Sequence, residues 1–271
     1  MNEFSEKIKK CYFKRAVSEL LLLAATIFIT GCQSPQPATI TQISTIDALL
    51  AGAYDGQLTC GQLLNYGNTG IGTFDRLDGE MIVLDGAVYQ IKADGKAYTP
   101  PPTASTPFAA VMNFQADSSF IPDKPSTLSE IYAQIDKFYP NQNIFYAIII
   151  NGEFSAVKTR SVPAQTKPYP PLSAVTKTQP EFKLANVSGI VVGFRCPPFV
   201  KSIGVPGYHL HFLSNDHRQG GHILDFKLTS GKIEIAECHN FLLKLPANDS
   251  LRNLNLTTDR SRELHSVEQG K

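Results

Sequence analysis

The sequence predicts an α+β fold of two β-rich halves, with mixed sheets and a few short helices. Nineteen Gly and eighteen Pro among 271 residues favour many turns and short strands over long helices. Strand and helix signals also follow one another without the regular strand-helix-strand rhythm of a parallel sheet. A hydrophobic share of 42% and an aromatic share of 10% suffice for a folded core, and the length suits one or two domains.

Residues 1–31 are a separate object. Lys7, Lys9, Lys10, Lys14 and Arg15 form a positive region, and Leu20 to Thr30 is an uncharged apolar stretch too short to span a bilayer comfortably. That is the order of a secretory signal peptide. Ile29-Thr30-Gly31-Cys32 resembles a bacterial lipobox, which implies an exported, periplasmic or cell-envelope lipoprotein acylated at Cys32. An uncleaved anchor helix is the alternative, and Glu19 near its start speaks for it. Residues 32–42 then read as a tether. Removing residues 1–31 takes the formal charge from +1 to about −1, which excludes the basic footprint of a nucleic-acid binder.

The elements follow in order. Ser44 or Thr45 caps a helix through Ala53, with Ile46, Leu49 and Leu50 at helical spacing, and Thr59 caps a second over Gly61 to Tyr66. The Gly67 to Gly72 segment looks like a phosphate-cradling loop but lacks the strand before and helix after, so it reads as a turn. Asp78-Gly79 and Asp85-Gly86 bracket a strand over Glu80 to Leu84, paired with Ala87 to Lys92 in a hairpin. Phe108 to Phe114 is a further strand, and Ser126 starts a helix through Phe138 that Pro140 ends. Ile144 to Ile150 and Glu153 to Arg160 read as two strands joined by a type I′ turn at Asn151-Gly152. The Pro-rich Pro163 to Pro171 divides an N-terminal half, 43–162, from a C-terminal metal-binding half, 163–271. There a short helix near Leu172 to Thr178 precedes strands over Val187 to Phe194, Tyr208 to Leu213, His222 to Leu228 and Ile233 to Cys238. Cys60, Cys196 and Cys238 lack metal-type spacing and read as buried structural thiols.

All six histidines lie in the last quarter of the chain. His209 and His211, two apart in a strand, project to one face about 6.5–7 Å apart. That suits two ligands converging on one ion with bonds of about 2 Å. His222 opens the next strand, and an antiparallel return brings it beside them. Leu213 shares the face of the first pair, and Leu224, Phe226 and Leu228 share that of His222, so the three rings meet in an apolar pocket. A metal explains neutral imidazoles there better than solvation does. Surface or core-satisfied histidines are the plainer alternative. Three neutral ligands leave an ion its charge and an open position, and zinc is expected over iron because no carboxylate stands at facial-triad spacing. His217, His239 and His265 fall outside the pattern. Glu80 shares a strand face with Ile82 and Leu84, so its carboxylate either enters a core with a raised pKa or leans into water at the strand end.

Residues Gly207-Tyr208-His209-Leu210-His211-Phe212 and Gly220-Gly221-His222-Ile223-Leu224-Asp225-Phe226 resemble the metal-binding signature of the α-acetolactate decarboxylase family. Leu77-Asp78-Gly79-Glu80, Thr106-Pro107-Phe108-Ala109, Val157-Lys158-Thr159-Arg160 and Lys167-Pro168-Tyr169-Pro170-Pro171 extend the resemblance in order, from about Ile43 onward. It implies decarboxylation of 2-acetolactate to acetoin at a zinc ion held by His209, His211 and His222. It also implies Glu80, Arg160 and the C-terminal Glu268 as active-site residues. The expected partner is a small 2-hydroxy-3-oxo acid, with membrane contact only through Cys32 and a homodimer left open. The competing readings are a carbonic-anhydrase-like hydratase, a cupin-type oxygenase and a lipid-anchored metal-binding protein without catalysis.

Overall fold

A computed structural model describes residues 38–247 and 249–269. The expected signal peptide, Cys32 and the first part of the tether lie outside the described residues. Thr39 to Gln42, expected as the end of that tether, instead belong to strand β1 (Thr39–Ile43). A parallel partner near the other end of the chain recruits them, a contact no local signal announces.

Helix α1 (Ile46–Leu50) follows, capped by Thr45, and then β2 (Leu58–Thr59) and α2 (Cys60–Leu63). Next come β3 (Thr69–Thr73), β4 (Glu80–Leu84), β5 (Ala87–Ile91), β6 (Ala97–Tyr98), β7 (Ser105–Thr106) and β8 (Ala109–Met112). Short strands β9 (Ser118–Phe120) and β10 (Ser126–Thr127) lead into α3 (Leu128–Phe138), where Thr127 and Glu130 form a reciprocal capping box. The long elements are β11 (Phe145–Arg160), β12 (Glu181–Cys196), β13 (Gly207–Ser214) and β14 (Gly220–Cys238), with α4 (Leu172–Val175) between the first two. Strand β15 (Asn240–Lys244) and helix α5 (Ser261–Gln269) complete the described chain.

The first sheet runs β15-β1-β8-β3-β4-β5-β6, and only its β1–β15 pair is parallel. The second runs β10-β14-β11-β12-β13 with β9 also on β14, and β13 returns to pair with β14. Strands β11 to β14 therefore close into a ring. This is the expected α+β class with mixed pairing. Strands β9 to β11 precede the Pro-rich stretch yet lie in the second sheet, and β15 follows it yet lies in the first. The described residues form one compact unit.

Alternation along the strands assigns the cores. Tyr146, Ile148 and Ile150 of β11 turn inward to Phe212, Ile235 and the Ile131–Ile135 face of α3. Phe145 and Ala147 turn outward with Val192, Phe194 and Leu213 onto Ile40, Ile71, Ile82 and Ile91 of the first sheet. A third cluster joins α1, α4 and α5 through Ile46, Leu50, Leu172, Val175, Leu264 and Val267.

Three local expectations are corrected. Gly67 to Gly72 is not simply a turn, because β3 begins at Thr69 inside the first sheet. A Cβ at Gly70 would stand 2.1 Å from the Ala110 carbonyl oxygen, so the glycine serves close strand approach rather than turning. Asn151-Gly152 makes no turn either: β11 runs straight through it, with Gly152 opposite Gly189 on one side and Gly231 on the other. Two long partners that continue past the pair leave no hairpin to close. Likewise, His222 to Leu228 and Ile233 to Cys238 are one strand, β14. A bulge leaves Leu224 extra between the pairs Lys158↔Asp225 and Thr159↔Ile223. It reverses the alternation, so Phe226 and Leu228 enter the ring core while His222 faces away from it.

Candidate active site

Strand β13 presents His209 and His211 on the face turned toward the first sheet. His222, at the start of β14, is the cross-strand partner of His211 on one side and of Arg160 on the other. The seam that closes the ring therefore brings the imidazoles together. Their ring centroids lie 5.1–5.4 Å apart, and one candidate ligand atom from each falls within 4.8 Å of the others.

The first sheet supplies the next contacts. His211 Nδ1 donates to the Met81 carbonyl at 2.9 Å, because a carbonyl can only accept. That bond fixes the tautomer and leaves the Nε2 lone pair free. Nε2 is buried without a hydrogen-bond partner and stands 3.7 Å from Oε2 of Glu80, the residue before Met81 in β4. Helix α5 delivers Glu268, with Oε2 3.9 Å from His209 Nε2 and 3.7 Å from His222 Nε2. Such separations are too long for hydrogen bonds. Asp259 caps α5 at Ser261 N (2.9 Å), and Ser173 of α4 donates to Glu263 at 2.8 Å.

Burial sets the protonation states. Desolvation, aided by the Arg160 guanidinium, holds His209 down to about 3. His211 and His222 are pushed well below the usual imidazole range, chiefly by burial. All three rings are thus neutral at pH 7. Desolvation raises Glu80 to about 7 against the pull of Arg160, and Glu268 to about 7 for the same reason. Of the two readings of Glu80, the buried one holds, with its side chain 10% exposed.

Three neutral, convergent imidazoles with an orphaned buried nitrogen fit a divalent metal of the zinc type. The six residues named from sequence come together here: Glu80, Arg160, His209, His222 and Glu268 line one cavity of about 40 Å³, and His211 sits against it. A larger cavity of about 690 Å³ shares His222 and Glu268 with it. Sequence reasoning missed two contributors. The Met81 carbonyl carries no side-chain signal, and Gln179, which accepts from Arg160 Nη1 at 2.7 Å, is an ordinary polar residue before a proline.

Gly193 of β12 lies opposite Leu210 and next to His209. A Cβ there would stand 2.0 Å from the His209 carbonyl oxygen, which is backbone and cannot swing aside. Gly193→Ala is expected to cost about 1–3 kcal/mol through overpacking and to displace β13. Urea unfolding should show a lower midpoint, and catalytic efficiency should fall with it.

Fold and site together define an enzyme that works on a small molecule. The family model for alpha-acetolactate decarboxylase matches residues 40–258. A curated alpha-acetolactate decarboxylase of Methanosarcina mazei is 46% identical over 228 residues, covering 84% of this chain and 79% of the relative. That of Methylococcus capsulatus is 42% identical, covering 84% and 88%. The crystal structure of the Bacillus subtilis strain 168 alpha-acetolactate decarboxylase superposes with a TM-score of 0.83 at 37% identity, covering 86% of this chain and all of that one. The chain belongs to the alpha-acetolactate decarboxylase family and is a carboxy-lyase. The family match ends before α5, and the structure brings Glu268 of that helix within 4 Å of His209 and His222.

Proposed function

We propose that the chain converts 2-acetolactate to acetoin and CO2 with a zinc ion held by His209, His211 and His222. The observation that carries this reading is the convergence of three neutral imidazoles beside two carboxyl groups and a buried arginine. When bound, zinc supplies Lewis-acid stabilisation of the negative charge that develops on the substrate's keto oxygen. Arg160 recognises and orients the substrate's oxygens through its planar fork. Breaking the bond from C2 to the carboxylate releases CO2 and leaves the electron pair as an enediolate. Protonation of C2 then completes acetoin. A carboxyl group held near 7 exists in both protonation states at neutral pH, so Glu80 and Glu268 suit that proton transfer. The apolar cluster of α1, α4 and α5 keeps bulk water from the intermediate.

The test is to treat the purified chain with a chelator, restore zinc, and assay acetoin from racemic acetolactate. Activity lost and recovered with the metal is the expected outcome; acetoin formation unaffected by complete metal removal would sink the zinc assignment. We further propose that the chain is exported and acylated at Cys32, which the positive region, apolar stretch and lipobox-like residues support. Mass spectrometry of the mature N-terminus from a native membrane fraction decides this.

A further inference from the structure

Arg160 is 4% exposed, yet its hydrogen-bonded partner is neutral. Nη1 donates to Gln179 Oε1 at 2.7 Å, and Nε has no partner among the described residues. No carboxylate forms an ion pair with the guanidinium among the described residues; Glu80 and Glu268 act on it only across a longer distance. Gln179 is itself held in place. It follows the 3-10 turn Thr176–Thr178 and precedes Pro180, which favours its extended backbone (φ −65°, ψ 140°). Ser161 N, one residue past Arg160, donates to the Pro180 carbonyl at 3.3 Å, so the two segments are pinned side by side. Arg160 lines the inner cavity, whereas Gln179 lines a separate open cavity of about 990 Å³ with Lys177 and Arg262. The amide thus stands between the guanidinium and solvent.

A glutamate would reach the same Nη1 and make a stronger, charge-assisted bond. Such a pair would cancel most of the guanidinium charge, and in a poorly solvated pocket that charge, beside that of a bound metal ion, helps to attract an anion. A neutral acceptor fixes the fork without cancelling it. We propose that Gln179 is a positioning residue of the reaction: it orients the Arg160 guanidinium while leaving its positive charge available to the substrate carboxylate. The proposal rests on the decarboxylase reading above.

Two variants of matching size separate the two halves of the claim. Gln179→Glu keeps the hydrogen bond and adds charge; Gln179→Met keeps the bulk and removes the acceptor. With acetolactate, Gln179→Glu should raise KM about tenfold with kcat changed less than about threefold, as expected when a charge pair competes with a bound anion. Gln179→Met should lower kcat/KM about tenfold by releasing the guanidinium from its productive orientation. Calorimetry with 2-hydroxy-2-methylbutanoate, an anion with no keto group to activate, should show weaker binding by both variants. Unchanged KM and unchanged anion affinity in Gln179→Glu overturn the inference, as does wild-type efficiency in Gln179→Met. A lowered melting temperature without a change in KM or affinity also overturns it, since that marks a packing role. A wild-type chain that makes no acetoin overturns the decarboxylase reading, and the calorimetric comparison still decides the role of Gln179.

Discussion

His211→Ala is expected to abolish stoichiometric metal binding and to reduce acetoin formation at least about a thousandfold, the scale of losing a main source of transition-state charge stabilisation. His211 is the most buried of the three imidazoles, and its bond to the Met81 carbonyl fixes both ring orientation and tautomer. Of the two remaining imidazoles, on different strands, His222 keeps only a long 3.4 Å contact to the Glu268 carbonyl. The variant also removes the buried hydrogen bond to the Met81 carbonyl, at a cost of about 0.5–1.5 kcal/mol. Metal content by elemental analysis, read beside kcat/KM and a urea curve, separates the site effect from the stability effect. A folded variant that keeps its metal and its rate would refute the assigned ligand set.

Glu268→Gln carries the second large expectation: a fall in kcat of about a hundredfold or more, the range for losing a proton-transferring group. The amide is close in size, so α5 should remain docked through Leu264 and Val267, and the melting temperature should hold within a few degrees. Removing residues 261–271 should cost at least as much activity. It should also lower stability, because those two apolar side chains leave a cluster shared with Ile46, Leu50, Leu172 and Val175. If Glu268→Gln turns over acetolactate at the wild-type rate, the proton source lies elsewhere, and the Glu80→Gln counterpart identifies it.

Much of this site is legible from local spacing. Histidines two apart in a strand share a face whatever the remainder of the fold, and the start of the next strand returns His222 beside them, so the triad follows from short-range geometry. Glu80 is similar: its alternation with Ile82 and Leu84 aims it inward, although only the finished core decides against water. Partners far apart in sequence are harder to read. The bulge at Leu224 rearranges which residues share a face with His222, and no residue type there announces it. Asn151-Gly152 carries a strong hairpin signal that two long flanking strands override, since the ladder on both sides outweighs a local turn preference. Arg160 and Glu268 acquire meaning only when β11 and α5 are docked, which is why their assignment rested on family resemblance rather than on the residues alone.

The parallel pairing of β1 with β15 joins Thr39–Ile43 to Asn240–Lys244. A ribosome releases the first of these segments long before the second exists, so during synthesis Ile40 and its neighbours have an open ladder edge. The large sequence separation makes this clasp slow to form and leaves an edge open to association with other chains meanwhile. Any factor that shields a nascent apolar edge should therefore raise the yield of correctly assembled protein, and grafting β15 ahead of β1 by circular permutation should relieve the need for it.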